Sequence, residues 1–109
     1  MTSLLSQPNP PTAVFAMSDD MAFGAIRALQ RHGIRPGADI AIASIDGHEL
    51  AELLDLTTVG QPVEQMGRMA AEALLARMLG QDDSAEEVTV PTTLVVRGST
   101  VPVDRAGTA

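Results

Sequence analysis

Residues 13–32 have the sequence AVFAMSDDMAFGAIRALQRH, and this stretch decides the fold. Its first five residues form a continuous apolar run, which predicts a β-strand buried on both faces. Ser18 and Asp19 follow, and either side chain can cap the start of a helix. Over residues 20–32 the spacing of apolar side chains predicts an amphipathic helix, with a core-facing stripe of Ala22, Ala25, Ile26 and Leu29. The stretch is therefore a strand that runs into a helix.

The alternation of strand and helix continues beyond this stretch. Gly33 is suited to end the helix, and residues 40–45 (IAIASI) form a second buried apolar run that leads into Asp46. A strand, a helix and a second strand of these lengths predict a right-handed crossover with parallel strands. The later pattern predicts a short helix at 48–54, a short strand at 57–59, a helix at 63–79 and a final strand at 93–97. The expected fold class is α/β, a parallel sheet with flanking helices, between a flexible lead-in at 1–10 and a flexible tail at 101–109.

Composition excludes several classes of function. The chain has 109 residues, a net charge of −7, and seven arginines but no lysine, so it lacks the dense basic patch that direct nucleic-acid binding requires. It has no cysteine, and its two histidines lack metal-ligand spacing, so we expect no metal, cofactor or thiol chemistry. No nucleophile-base arrangement and no phosphate-binding glycine loop indicates an enzyme. Because no signal sequence or membrane-spanning run is visible, we expect a cytoplasmic protein.

Polar residues follow the predicted strands where an α/β protein binds its ligand. Ser18 and Asp19 follow the first strand, Asp46 follows the second, and Gln61 follows the third. Ligands of open parallel sheets bind beyond the carboxyl ends of the strands, so these four side chains are candidates for contact with a polyhydroxylated ligand. Each also has a plainer interpretation. For Asp19 a helix N-cap is the favoured interpretation, and for Ser18 a helix N-cap and a ligand contact are both open. Asp46 can be a turn residue, and Gln61 can help to start a helix.

Phe23 departs from the pattern of its helix. It projects with Asp20 and Arg27 from the polar face, away from the apolar stripe. Single exposed apolar residues are common. Because the chain is also short for its fold, we expect Phe23 to contact a partner protein. His48 has no identifiable catalytic partner, and we interpret it as a surface residue.

Five segments together resemble transcription regulators of the LacI/GalR type. Residues 11–24 (PTAVFAMSDDMAFG) resemble the family's strand that runs into an Asn-Asp-x-Met-Ala-x-Gly helix. Residues 33–40 (GIRPGADI) resemble its Gly-x-x-Pro-x-Asp-Ile connection, and residues 44–47 (SIDG) stand where a Gly-Phe-Asp-Asp type motif is usual. Residues 56–62 (LTTVGQP) and 94–100 (LVVRGST) match the last two signatures. The order and spacing of the five segments make the resemblance far more specific than any one of them.

The resemblance implies a partial type I periplasmic-binding-protein-like fold, in which two α/β lobes close on a sugar or a similar metabolite. Residues 11–100 would be the C-terminal portion of this effector-binding domain. By motif position, Ser18, Asp46 and Gln61 would contact the effector, with Asp19 adjacent, and Phe23 would lie in the dimer interface. Ser18 stands where the family usually has Asn. Ser44 and Gly47 replace a usual Gly and a second Asp, and these departures leave the effector's identity open.

The resemblance also predicts a function. Family members begin with a helix-turn-helix and most of a first lobe, and this chain resembles only the later part, so the helix from residue 63 would belong to the other lobe. We expect the effector-sensing and dimerisation part of a transcription regulator, a homo-oligomer without a DNA-binding segment of its own and without membrane contact. The alternative is a truncated remnant that acts only as a self-association module. A phosphoacceptor receiver domain is excluded because it needs a lysine after a late strand.

Overall fold

The strand-helix-strand arrangement is present in the computed structural model, which describes residues 1–81 and 87–101. Its elements are α1 (Thr2–Leu5), β1 (Ala13–Phe15), α2 (Asp19–Arg31), β2 (Ala41–Asp46), α3 (Leu50–Leu53), β3 (Thr57–Gly60), α4 (Val63–Met78) and β4 (Thr93–Val95). The chain divides into two compact units. One unit is Met1–Gly60 together with the residues from Thr93 onward, and the other is Gln61–Thr92. The four strands belong to the first unit, and α4 belongs to the second.

The strands form one sheet in the order β1-β2-β3-β4. β1 pairs parallel with β2, and β2 pairs parallel with β3, with Ala43 opposite Thr57. β4 pairs antiparallel with β3. The predicted parallel sheet is therefore confirmed for three strands, and β4 is an antiparallel addition. The chain leaves the first unit after Gly60 and returns only at Thr93, and so long a connection permits either strand direction.

The apolar core lies against one face of α2. Ala22, Ile26 and Leu29 are all buried there, which confirms the helical spacing seen in the sequence. The other buried apolar residues of the described part of the chain are Ala16, Ile40, Ile42, Ala51 and Leu56. Several of these side chains are alanines, so the area of apolar surface buried per residue is small. Buried hydrogen bonds consequently have a large part in holding the sheet together.

Both ends of α2 are set by local backbone chemistry. The Oγ of Ser18 accepts a hydrogen bond of 3.2 Å from the backbone N–H of Met21, so Ser18 is the N-cap. At the other end Gly33 has a φ of +68°, a left-handed conformation that suits glycine. The N–H of Ile34 then bonds back to the carbonyl of Leu29 at 3.0 Å and closes the last turn. Gly33 therefore ends the helix as predicted.

The lead-in at residues 1–10, predicted to be flexible, includes α1, and Met1 and Leu5 pack against the core. The helix predicted at 63–79 is present as α4, and none of its residues is buried. Residues 82–86, and residues 102–109 of the predicted tail, lie outside the described residues. Among the described residues, no helix is long and apolar enough to cross a membrane.

Ser99 connects β2 and β3 near their amino ends. Its hydroxyl donates to the carbonyl of Ile42 at 2.6 Å and accepts from the N–H of Thr57 at 2.8 Å. The side chain is only 3% exposed, so water cannot replace these bonds without a rearrangement. The carbonyl of Ser99 also accepts from the N–H of Ile42 at 2.8 Å. The segment after β4 therefore clamps the two central strands together.

The Ser99→Ala variant should lose about 1–3 kcal/mol of unfolding free energy, because it leaves buried backbone groups of β2 and β3 without a partner. Urea unfolding followed by circular dichroism measures the change. Ser6→Ala removes an exposed hydroxyl bonded to the carbonyl of Thr2 and is the matched control, with an expected change below about 0.5 kcal/mol. Equal effects of the two substitutions would contradict the clamp.

Candidate functional site

The carboxyl ends of β1 and β2 meet at one edge of the sheet. Asp46 is the last residue of β2, and the first residue of α2, Asp19, donates its backbone N–H to the Oδ2 of Asp46 at 3.1 Å. The Asp46 side chain is exposed, and Ser18 beside it is half-buried. A hydroxyl and a carboxylate therefore lie together where an α/β sheet offers a ligand site.

Directly beneath this edge lies a buried carboxylate, that of Asp19. Its side chain has no exposed surface. Its Oδ1 accepts hydrogen bonds from the Oγ of Ser44 and the Oγ1 of Thr58, both at 2.6 Å. Its Oδ2 accepts from the backbone N–H of His48 at 2.7 Å. One side chain at the start of α2 thus joins β2, β3 and the loop after β2.

The surroundings of Asp19 favour its charged form. Burial on its own would raise the pKa of the carboxyl group, because a charge is poorly solvated away from water. The hydroxyls of Ser44 and Thr58 and the backbone N–H groups of His48 and Gly47 outweigh that effect and lower the pKa below its ordinary value. The lowered pKa leaves Asp19 ionised at neutral pH. Its charge is stabilised by hydrogen-bond donors, with no basic side chain among them.

The backbone turns sharply after β2. Asp46 has a φ of +149° and Gly47 has a φ of +81°, both on the side of φ that favours glycine. A residue other than glycine in such a region costs about 1–3 kcal/mol and needs support from its surroundings. That support comes from the bond between His48 N–H and Asp19, and from a 3.3 Å bond between Gly47 N–H and the Oγ1 of Thr58. Backbone strain and its support thus lie directly at the edge that bears Asp46.

Two sequence-based interpretations of Asp19 need correction. The favoured interpretation was a helix N-cap, but Ser18 holds that position and Asp19 is the first helical residue. Direct contact between the Asp19 side chain and a ligand also does not fit its environment, because donors within the chain surround both oxygens and the side chain is fully buried. Ser44 and Thr58, which hold the carboxylate, were missed. The hydroxyl residues within the predicted strands were the available signal, since such groups need a partner when they are buried.

Gln61 follows β3 directly and is the first residue of the second unit. It is half-buried, and its carbonyl accepts a bond of 2.9 Å from the N–H of Val63. This bond belongs to the start of α4, in keeping with the interpretation that Gln61 helps to begin that helix. Contact between Gln61 and a ligand stays a prediction.

Phe23 lies against the loop that follows β2. Its ring makes an edge-on contact with the ring of His48, with centroids 5.4 Å apart and an interplanar angle of 82°. The side chain is half-buried and packs against the core, so part of its apolar surface is used within the chain. The His48 ring in turn accepts from the N–H of Leu50 through Nδ1 at 3.0 Å. The remaining surface of Phe23 is available to a partner, and that contact stays a prediction.

The acid dependence of stability tests the charge on Asp19. Because folding lowers the pKa of this group, its ionised form contributes stability that is fully present above the ordinary value of about 3.9 and is lost as the pH falls through the folded value. The amide side chain of the Asp19→Asn variant does not titrate in this pH range. The difference in unfolding free energy between the wild type and this variant should therefore be largest at neutral pH and should narrow below about pH 4.

Urea unfolding between pH 7 and pH 3 measures this difference. Asp20→Asn removes an exposed carboxylate from the same helical turn and is the matched control. A difference between wild type and Asp19→Asn that is constant over the whole pH range would show that folding does not lower the pKa of the Asp19 carboxyl group.

Comparison with known proteins identifies the fold. The profile of the periplasmic binding protein-like domain matches residues 1–100. The repressor CytR of Escherichia coli K12 is 40% identical over 102 residues, which cover 92% of this chain and 30% of CytR. A LacI family regulator from Enterococcus faecium, solved with bound ribose, superposes with a TM-score of 0.84 at 33% identity and covers 94% of this chain and 38% of its own.

The lac repressor dimer, solved on its operator with the anti-inducer ONPF, superposes with a TM-score of 0.74 at 34% identity, over 84% of this chain and 28% of the repressor chain. The chain therefore spans about a third of the length of these relatives, which are transcription regulators by name. The profile match covers most of the chain, and the two superpositions show that the chain shares the α/β architecture of these regulators. The chain belongs to the periplasmic-binding-protein-like domain family, in the form found in LacI-type transcription regulators.

Proposed function

We propose that this chain senses a sugar or a related hydroxylated metabolite as part of a LacI-type regulator. The observation that carries the proposal is the exposed carboxylate of Asp46 at the carboxyl edge of the sheet, fixed at 3.1 Å by the backbone N–H of Asp19. A carboxylate can accept hydrogen bonds from two neighbouring hydroxyls of a sugar, and charge-assisted bonds of this kind are stronger than neutral ones. The related regulator from Enterococcus faecium was solved with a sugar, ribose.

Ser18 adds a second proposed ligand contact at this edge, and a ligand contact of Gln61 is proposed from its motif position alone. The Oγ of Ser18 accepts from the N–H of Met21, which leaves its proton to be donated to a ligand oxygen. The amide of Gln61 can donate and accept at once, as a hydroxyl-rich ligand requires. Asp19 supports Asp46 through its backbone N–H and makes no ligand contact of its own. The site holds and releases a ligand and has no catalytic step.

The remaining parts of the proposal concern partners. DNA binding by such a regulator would use a segment other than this chain, whose carboxylates outnumber its arginines by fourteen to seven. Pairing of two copies would use the face of α2 that bears Phe23. Because a transcription regulator acts on DNA, the proposed role implies a protein of the cytoplasm.

The proposal predicts the effect of removing the charge of Asp46. Asp46→Asn should weaken sugar binding about 10-fold to 100-fold, because two charge-assisted bonds become weaker or are lost. Asn has nearly the same size and shape as Asp, so the fold should persist. Isothermal titration and thermal shift with D-ribose, followed by a panel of sugars and sugar phosphates, measure the change. Glu52→Gln removes an exposed carboxylate from α3 and is the matched control. Equal affinity in the Asp46→Asn variant would contradict the proposed site.

A second candidate function is that of a self-association module with no ligand. It is favoured by large apolar side chains on the surface of the first unit, since Phe15, Met17 and Met21 are 60%, 75% and 59% exposed. Apolar surface of this extent is typical of regions that contact another protein. A chain that associates but ignores every ligand of the panel would have this function.

Pairing through α2 is tested by light scattering and sedimentation. We expect a dimer, and Phe23→Ala should weaken its association about 10-fold or more, as loss of a buried aromatic anchor does. Met21→Ala removes a more exposed side chain of the same helix and should have a smaller effect. Because Phe23 also packs against the core, the melting temperature of each variant is measured alongside. Unchanged association of Phe23→Ala would place the interface elsewhere.

A further inference from the structure

The loop that follows β2 is tied to Asp19 from two directions. The backbone N–H of Asp19 donates to the side chain of Asp46 at 3.1 Å. The side chain of Asp19 accepts from the backbone N–H of His48 at 2.7 Å. Residues 46–48 therefore lie against a single residue of α2, which holds both the carboxylate of Asp46 and the backbone behind it.

The oxygens of Asp19 are in turn fixed to the sheet. Ser44 in β2 and Thr58 in β3 are fully buried or nearly so, and each donates its hydroxyl proton to Oδ1 at 2.6 Å. Because an ionised carboxylate only accepts hydrogen bonds, both hydroxyls must act as donors to it. The carboxylate is thus held by two neighbouring strands at once, and its position cannot shift without breaking buried bonds.

The series of hydrogen bonds extends from Asp19 into the loop after β2. The Oγ1 of Thr58 donates to Asp19 and accepts from the N–H of Gly47 at 3.3 Å. The chain of donors therefore runs from Gly47 through Thr58 to the anion. An amide at position 19 could face these hydroxyls with its NH₂ group, which would reverse the direction at Thr58 and leave it a poorer acceptor for Gly47.

We propose that Asp19 is a positioning residue, whose buried carboxylate holds the backbone of Gly47 and His48 so that the carboxylate of Asp46 is presented at the edge of the sheet. This inference rests on the proposed function in so far as Asp46 contacts the effector. Asp19 itself does not touch the ligand. Its role is needed because Asp46 and Gly47 have φ values of +149° and +81°, and a backbone of this kind relaxes when its hydrogen-bond partners are removed.

The experiment compares Asp19→Asn and Thr58→Val with the wild-type 109-residue chain. Thr58→Val removes the middle hydroxyl of the donor chain at nearly unchanged volume, and it decides the question if Asp19→Asn does not fold. Three-bond couplings to the Cγ of Asp46, measured by NMR, give the rotamer of that side chain, and the shift of the His48 amide proton reports its hydrogen bond. Ser99→Ala disrupts the same two central strands at their other end and is the matched control for lost stability.

Both variants should change the Asp46 couplings from those of one rotamer to an average over several, and Asp19→Asn should move the His48 amide proton upfield. Ser99→Ala should leave both signals as they are in the wild type. Folded Asp19→Asn or Thr58→Val with wild-type couplings at Asp46 would overturn the inference. The same result in Ser99→Ala as in the other two variants would also overturn it, since a general loss of stability would then explain the change.

Titration with D-ribose separates this inference from the proposed function. If the wild type binds ribose, Asp19→Asn should bind it about 10-fold more weakly or worse, while Ser99→Ala stays within about twofold. Undiminished ribose affinity in Asp19→Asn would overturn the positioning role. If the wild type binds neither ribose nor any other sugar of the panel, the proposed function fails, and the Asp46 couplings still decide whether Asp19 positions that side chain.

Discussion

The structure of the first unit depends on one buried anion. Asp19 has no exposed surface, yet its carboxylate is charged because hydroxyl and amide donors replace the water that burial removes. The donors come from β2, from β3 and from the loop between β2 and α3, so elements distant in sequence meet at one side chain. Loss of any one donor leaves the remaining charge more poorly solvated. The contacts around Asp19 are therefore coupled, and the edge of the sheet keeps a single arrangement.

A second polar clamp lies at the opposite end of the same strands. Ser99 bridges the carbonyl of Ile42 and the N–H of Thr57, just as Asp19 bridges Ser44 and Thr58 at the carboxyl end. The two strands are thus fixed at both ends by side chains from elsewhere in the chain. This arrangement suits a unit whose buried apolar residues are few and often small.

Periodicity and local backbone chemistry were enough to predict much of the first unit from the sequence. The strand into α2, the end of that helix at Gly33 and the parallel pairing of β1, β2 and β3 are all determined by short-range patterns. The same patterns identified the edge at which Ser18 and Asp46 lie. They did not predict α1, because its few residues show no helical period. They also did not predict the direction of β4, because a long segment precedes it.

The role of Asp19 was also beyond short-range patterns. A carboxylate just before a helix is the usual signature of an N-cap, and its sequence neighbours gave no reason to prefer another role. Its partners Ser44 and Thr58 lie on other elements, and only the folded chain brings them within hydrogen-bond distance. The favoured N-cap role proved to belong to Ser18. Hydroxyl residues within strands that are predicted to be buried are the feature by which a similar anion could be found in other sequences.

The titration of the Asp19 carboxyl carbon, followed by ¹³C NMR from neutral pH into acid, tests the central claim most directly. We expect this carbon to keep the chemical shift of an ionised carboxylate below the pH at which an ordinary Asp takes up its proton, and until the chain begins to unfold. A carbon that titrates at the ordinary value or above it, while the fold persists, would contradict a charged group held by surrounding donors. The edge of the sheet would then need another explanation.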